Sequence, residues 1–205
     1  YAGSTDGLYR SEDSGISWNL MLDVPMCTDI LVHPSEPNTI IVACGNFGSS
    51  GKGIYSSKDG GLSWRKFNPE NFNGKIHLAQ FKLDPNLIYA SVGNGFTFDE
   101  GATWVYKSTD GGVSWTLENT TDYSKWQGWF SHDLAIHPED KNRMTFVGIE
   151  IYQSFNGAKT INQITEGGVI FGTPPLDAPD GPPNFTHSDH HDVIYDPTNG
   201  ETIYV

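Results

Sequence analysis

Three near-copies of one eight-residue turn, and four apolar stretches that each end in His-Pro or Asp-Pro, predict an all-β fold of repeated four-stranded antiparallel units. These are the blades of a β-propeller. The turns run Ser11, Asp13, Gly15, Ser17, Trp18; Ser57, Asp59, Gly61, Ser63, Trp64; and Ser108, Asp110, Gly112, Ser114, Trp115. Their pattern is S-x-D-x-G-x-S-W, and successive copies lie 46 and 51 residues apart. The apolar stretches begin at Asp29, Gln80, Asp133 and Asp192 and close on Pro34, Pro85, Pro138 and Pro197.

Each element has a physical reason. In the turn, the Ser and Asp oxygens accept hydrogen bonds from backbone N–H groups just beyond them, the Gly permits positive φ, and the Trp is a large apolar anchor. The residues before each copy (8–10, 53–55 and 104–107) are short, β-rich and carry an aromatic in one register. A decayed fourth copy follows at Ser154, Asn156 and Thr160, with Asn for Asp and no Trp. After each Pro turn a second strand is expected, at 39–44, 87–92, 144–148 and 202–205. The unit is strand, Pro turn, strand, loop, strand, eight-residue turn, strand. Residues 1–205 therefore form one propeller segment, with repeats at about 1–24 (partial), 25–75, 76–128, 129–186 and 187–205 (partial).

The S-x-D-x-G-x-S-W pattern resembles the Asp-box, or bacterial neuraminidase repeat, of sialidases, xyloglucan-degrading glycoside hydrolases, sortilin-type receptors and a photosystem II assembly factor. With the His-Pro and Asp-Pro strands, and the runs 127–133 and 187–192, the chain most resembles large secreted bacterial proteins of glycosyl-hydrolase-like or sortilin-like type. The resemblance covers essentially the whole chain. It implies an extracellular or cell-surface propeller that binds a glycan or a protein as a module of a larger protein. The alternative it implies is a glycoside hydrolase acting on a β-glucan or xyloglucan-like polysaccharide through two cleft carboxylates. Activity stays open, because the same turn decorates enzymes, receptors and assembly factors. Sialidases surround the substrate carboxylate with three arginines. The arginines of this chain are Arg10, Arg65 and Arg143, and the first two flank turns, so sialidase chemistry is not expected. A propeller of this family needs more blades to close, so missing blades of the same chain are expected neighbours; a self-contained four-bladed ring is the alternative.

Composition agrees with an all-β protein facing water. There are 23 glycines for tight turns and 13% aromatic residues for packing between blades. A net charge of −13 argues against nucleic acid and anionic membrane surfaces as partners. No apolar run of about 18 residues is present to insert in a membrane, and nothing in the sequence calls for a cofactor. Cys27 and Cys44 come opposite one another if the turn at 34–37 closes a hairpin. Either a cross-strand disulfide or two buried thiols fit that placement.

Ligand chemistry belongs on the rim opposite the eight-residue turns, where the long loops 45–52, 93–102, 118–129 and 161–186 lie. Trp126, Gln127 and Trp129 offer flat apolar faces and an amide, which is what stacking and orienting a sugar require; the bland reading is that both Trp wedge between blades. His187, Asp189 and His191 fall on one side of an expected strand, with His190 and Asp192 on the other. At ~3.3 Å per residue His187 and His191 would stand roughly 13 Å apart, too far for one metal, so no metal site is expected. Counting back from each Pro aligns His191 with His132, and Asp192 with Asp133 and Asp29. A pair that recurs blade by blade suits packing, whereas His187 and Asp189 have no counterpart. Asp99, Glu100 and Asp189 are the carboxylates a hydrolase would draw on, at the roughly 5 to 10 Å separation that glycoside hydrolysis requires. Asp59→Ala is expected to lower stability and leave any binding intact.

Overall fold

The computed structural model describes residues 1–95, 101–165 and 184–205. Asp99 and Glu100, together with most of the proline-rich 161–186 loop, lie outside the described residues. Among the described residues, five antiparallel sheets follow one another along the chain. The first holds β1 (Ala2–Gly3), β2 (Leu8–Arg10) and β3 (Asn19–Leu22), and the second β4 (Cys27–Val32), β5 (Ile40–Cys44), β6 (Gly53–Ser57) and β7 (Arg65–Phe67). The third holds β8 (Ile76–Phe81), β9 (Asp84–Asn94), β10 (Ala102–Ser108) and β11 (Thr116–Asn119). The fourth holds β12 (Asp133–Ile136), β13 (Met144–Val147), β14 (Ile151–Ser154) and β15 (Asn162–Gln163), and the fifth pairs β16 (Ile194–Tyr195) with β17 (Ile203–Tyr204). In each complete sheet the strands stand in chain order, as propeller blades do, so the first strand of every blade lies at the same edge.

The second strand of each blade explains why the blades stack. Successive side chains of a strand point to opposite faces, and here both faces are apolar. Ile41 and Ala43 of β5 pack with Ile88, Ala90 and Val92 of β9, while Ile40, Val42 and Cys44 face Leu8 and Leu22 of the first blade. The other face of β9, with Leu87 and Tyr89, meets Met144 and Phe146 of β13. The core is therefore a row of interfaces between blades. Each fully buried Ile or Val contributes roughly 1.5–3 kcal/mol there.

The eight-residue turn connects the third and fourth strands of each blade. In the second blade Ser57 Oγ accepts from Gly61 N (2.8 Å) and donates to Asp59 Oδ1 (2.7 Å). Asp59 also accepts from Ser63 N (2.9 Å) and Ser63 Oγ (2.5 Å). The same bonds recur around Ser11 and Asp13 and around Ser108 and Asp110. Hydrogen bonds from Ser17 and Ser63 hold the Asp13 and Asp59 carboxyls down at about 2. The decayed copy keeps the network, with Asn156 Oδ1 accepting from Thr160 N (2.9 Å) and Ser154 Oγ from Ala158 N (3.0 Å). The Trp is less uniform than its repetition suggests: Trp115 is buried, but Trp18 is 45% exposed because no blade packs outside it among the described residues.

The Pro turns share a second device. Nδ1 of His33 accepts from Glu36 N (3.1 Å), and Nδ1 of His137 accepts from Glu139 N and Asp140 N (3.1 Å each). Asp196 Oδ1 does the same for Thr198 N (2.8 Å) and Asn199 N (3.1 Å). His and Asp alternate at this position because either supplies an acceptor to the N–H groups of the turn. The two kinds of turn are then tied together on one rim: Gly60, Gly111 and Gly157 N–H groups donate to Asn38, Asn86 and Asn142 carbonyls at 2.9–3.0 Å.

Two expectations are corrected. Residues 187–191 are not in a strand; β16 starts only at Ile194. Asp189 has φ +79, and His190 N and Nδ1 both lie 3.0 Å from Gly148 O of the fourth blade. That local anchoring bends the segment, so the alternation that put His187, Asp189 and His191 on one side does not apply. The second correction concerns the third blade. The tight β8–β9 connection pairs Phe81 with Asp84, where the other blades use a longer Pro turn. Counting back from Pro85 therefore picks Gln80, whereas the strand register makes His77, opposite Ser91, the equivalent of Asp29 opposite Ala43 and Asp133 opposite Val147.

Candidate functional site at the propeller mouth

The first strands β4, β8, β12 and β16 line one cavity of about 570 Å³ near their N-terminal ends. Its polar lining is the register position just defined: Asp29, His77, Asp133 and Asp192, with His191 beside them. Two of the aspartates also tie blades together. Asp29 accepts from Ile30 N and, across the interface, from Leu78 N (both 2.7 Å). Asp133 accepts from Leu134 N (2.8 Å) and from Val193 N of the next blade (3.1 Å). Thr28 reinforces the first junction through Ile76 O (2.9 Å). The recurrence thus has a packing cause, and it also leaves a ring of carboxyls around the cavity.

Burial governs the charges in this ring. It pushes the Asp133 carboxyl up to about 8, and a hydrogen bond with the Asp192 carboxyl adds to the rise. It pushes Asp29 up as well, against the N–H bonds from Leu78 and Ile30. His77, with Nδ1 3.6 Å from Asp133 and 3.8 Å from Asp29, is pushed down to about 3 and is neutral. Burial lowers the Lys75 ammonium, whose charge the three aspartates support. Behind His77, the His132 ring stands edge-on at 5.2 Å and is bonded through Nδ1 to Ser91 Oγ (2.8 Å), which also accepts from Tyr123 OH (2.5 Å). Burial holds His132 well below its ordinary range.

Beside the cavity an arc of rings forms. Phe47, from the β5–β6 loop, lies 5.3 Å from Trp129; Trp129 lies 5.1 Å from Phe130; and Phe130 meets His191 edge-on at 4.5 Å. Phe47 and Phe130 are 51% and 39% exposed. The arc is held by backbone chemistry. Asn46 Nδ2 donates to Trp129 O (2.9 Å), and Lys75 N donates to Gly128 O (2.9 Å). Gly128 is required by close approach: a Cβ there would stand 2.5 Å from Asn94 O, and one on Gly93 would stand 2.5 Å from Gly128 O.

The expected site residues separate. Trp129 and His191 join the arc. Trp126 and Gln127 lie in a 3-10 turn, Lys125–Gln127, where Gln127 Oε1 accepts from Ser131 Oγ and Gln127 O accepts from Phe130 N (2.8 Å) and Ser131 N (3.0 Å); the Gln127 amide oxygen is thus engaged in shaping the loop. His187 is exposed and lies 2.7 Å, through Nδ1, from Ser188 O. Asp189 is not among the described residues lining the cavity, and its Oδ1 is buried with no hydrogen-bond partner among the described residues. Sequence reasoning missed Phe47 and His77: Phe47 is 82 residues from Trp129, and the short β8–β9 turn hid the register of His77. Among the described residues no group of three His, Cys, Asp or Glu side chains is arranged to hold a metal ion, and no helix is long and apolar enough to cross a membrane.

No protein-family model matches the sequence, and no curated protein is significantly similar to it. Among solved structures, an ancestral GH74 enzyme superposes with a TM-score of 0.60 at 23% identity, over 80% of this chain and 22% of its own. YCF48 from Cyanidioschyzon merolae gives 0.46 at 16% identity, over 68% of this chain and 40% of its own. A variant of the NanB sialidase from Streptococcus pneumoniae gives 0.45 at 14% identity, over 73% and 28%. The chain spans less than half the length of each of these proteins. At such identities the likeness is one of fold. Successive four-stranded blades, first strands gathered on one cavity and the superposition on the GH74 enzyme together establish that the chain has the β-propeller fold.

Proposed function

We propose that this propeller is a glycan-binding module of an extracellular protein, and that its mouth is the binding site. The observation that carries the proposal is the Phe47, Trp129, Phe130, His191 arc set directly beside a cavity lined by Asp29, Asp133 and Asp192. Partly exposed rings take the apolar faces of sugars, and carboxyls and imidazoles next to them take the hydroxyls. The resemblance to xyloglucan-degrading hydrolases makes soluble β-glucans and xyloglucan oligosaccharides the first ligands to try. On a glycan panel the protein is expected to retain one such class. Phe130→Ala is expected to weaken binding by at least about tenfold, the value of one stacking contact. A protein that binds no glycan on the panel, or binds one equally after Phe130→Ala, would refute the assignment.

The hydrolase alternative has less support at this cavity. Asp29 and Asp133 each accept two backbone N–H bonds, one of them from the neighbouring blade, so these carboxyls are engaged in joining blades. Asp99 and Glu100 lie outside the described residues. Reducing-end assays on β-glucan separate the readings: sustained turnover lost on Asp or Glu substitution at the mouth supports the enzyme, and binding without turnover supports the module.

A further inference from the structure

The second blade holds a pair of thiols that the glycan reading does not use. Cys27 and Cys44 are direct cross-strand partners at the start of β4 and the end of β5. Gly45 N donates to Met26 O (2.8 Å), so the neighbouring pair carries the ladder bond, while Cys27 N donates to Ser4 O of the first blade instead (2.9 Å). Cys27 and Cys44 are therefore a non-hydrogen-bonded pair, the kind in which Cα atoms approach to about 4.5 Å and side chains lie closest. That separation falls within the ~4.4–6.8 Å that a disulfide spans. Both side chains are buried, on an interface shaped to receive them: a Cβ on Gly3 would stand 2.8 Å from Cys27 Sγ. Within residues 1–205 each is the other's only cysteine.

We propose that Cys27 and Cys44 form a disulfide site, closed by thiol–disulfide exchange with a small-molecule or protein disulfide, which clamps β4 to β5 beneath the mouth. The step balances without a further reactant. The thiolate of one cysteine attacks one sulfur of the oxidant, whose S–S bond breaks and whose other sulfur leaves as a thiolate. The second cysteine, losing its proton, then attacks the sulfur of the first and expels the second thiolate. Two cysteines lose two electrons, one oxidant disulfide becomes two thiols, and the two protons released are taken up by the leaving thiolates. The bond lies at the base of two mouth elements: Asp29 is two residues beyond Cys27, and Phe47 three beyond Cys44.

The reduced protein is unfolded in denaturant and refolded with a mixture of reduced and oxidised glutathione, so that burial cannot block access. It is then alkylated under denaturing conditions and weighed intact. The expected product is a monomer lighter by two hydrogens with no alkyl group added, and with a higher melting temperature than the dithiol form. Two alkylated thiols, or a stable adduct with glutathione, would overturn the proposal. So would an oxidised monomer that melts below the reduced one, since the bond would then oppose the fold. Cys44→Ser is the control, expected to yield only glutathione adduct or free thiol.

Discussion

At the scale of single residues, the repeated turn is a closed set of hydrogen bonds whose worth depends on where each copy lies. Ser108 and Ser11 make the same contacts, but Ser108 is 1% exposed, whereas Ser11 is only half-buried and its partner Gly15 is exposed. Removing the hydroxyl of Ser108 leaves Gly112 N–H buried without an acceptor, while water replaces the hydroxyl of Ser11. Ser108→Ala is expected to cost about 1–2 kcal/mol in urea denaturation, and Ser11→Ala less than half of that. Equal losses would show that burial does not set the value. These turns were legible in the sequence because every bond that defines them is local, spanning at most four residues. Even the copy without Asp or Trp was readable, since Asn156 and Thr160 keep the acceptor and donor that matter. What the pattern could not convey was that Trp18 is half exposed, because that depends on neighbours outside the motif.

At the scale of the elements, the blades are joined by acids that cross from one first strand to the next. Asp133 is raised to about 8 in the fold against about 3.9 in an unfolded chain. Between about pH 4 and pH 8 the unfolded chain releases a proton that the folded one keeps, so this group makes stability fall as pH rises. Asp13 and Asp59, held at about 2, act in the opposite sense: their contribution is present above about pH 4 and is lost as pH falls toward 2. Asp192→Asn replaces a carboxyl beside Asp133 with an amide that can donate, and is expected to lower the Asp133 pKa. Each unit of that drop reduces the decline by about 1.4 kcal/mol, measurable as melting temperature against pH. An unchanged decline would mean that the two carboxyls do not interact. Gly128→Ala, whose Cβ would press on Asn94 O, is expected to displace Trp129 and Phe130 and so weaken glycan binding together with stability. Alternation rules gave the apolar strands but failed for 187–191, whose shape is set by Gly148 of another blade, and the Pro count failed where β8 turns tightly into β9.

At the scale of the whole molecule, two rims divide the labour. One gathers the Pro turns and the eight-residue turns, bonded to each other; the other gathers the β5–β6 loop and the loop before β12 beside the ends of the first strands. The number and direction of strands could be read from spacing alone, because each repeat carries its own punctuation. The mouth could be read only in part. Trp129 and His191 stand out as residue types in loops, but the arc that joins them to Phe47 exists only once the loop before β12 reaches across the third blade to the β5–β6 loop of the second. The most direct test of this division is calorimetric titration of a xyloglucan or β-glucan oligosaccharide into Trp129→Ala and Asp59→Ala, with melting temperatures measured alongside. The expected result is that Trp129→Ala loses at least about tenfold in affinity, whereas Asp59→Ala melts earlier and binds as the unaltered protein does. Binding lost in Asp59→Ala but intact in Trp129→Ala would place the site on the other rim and contradict the proposal.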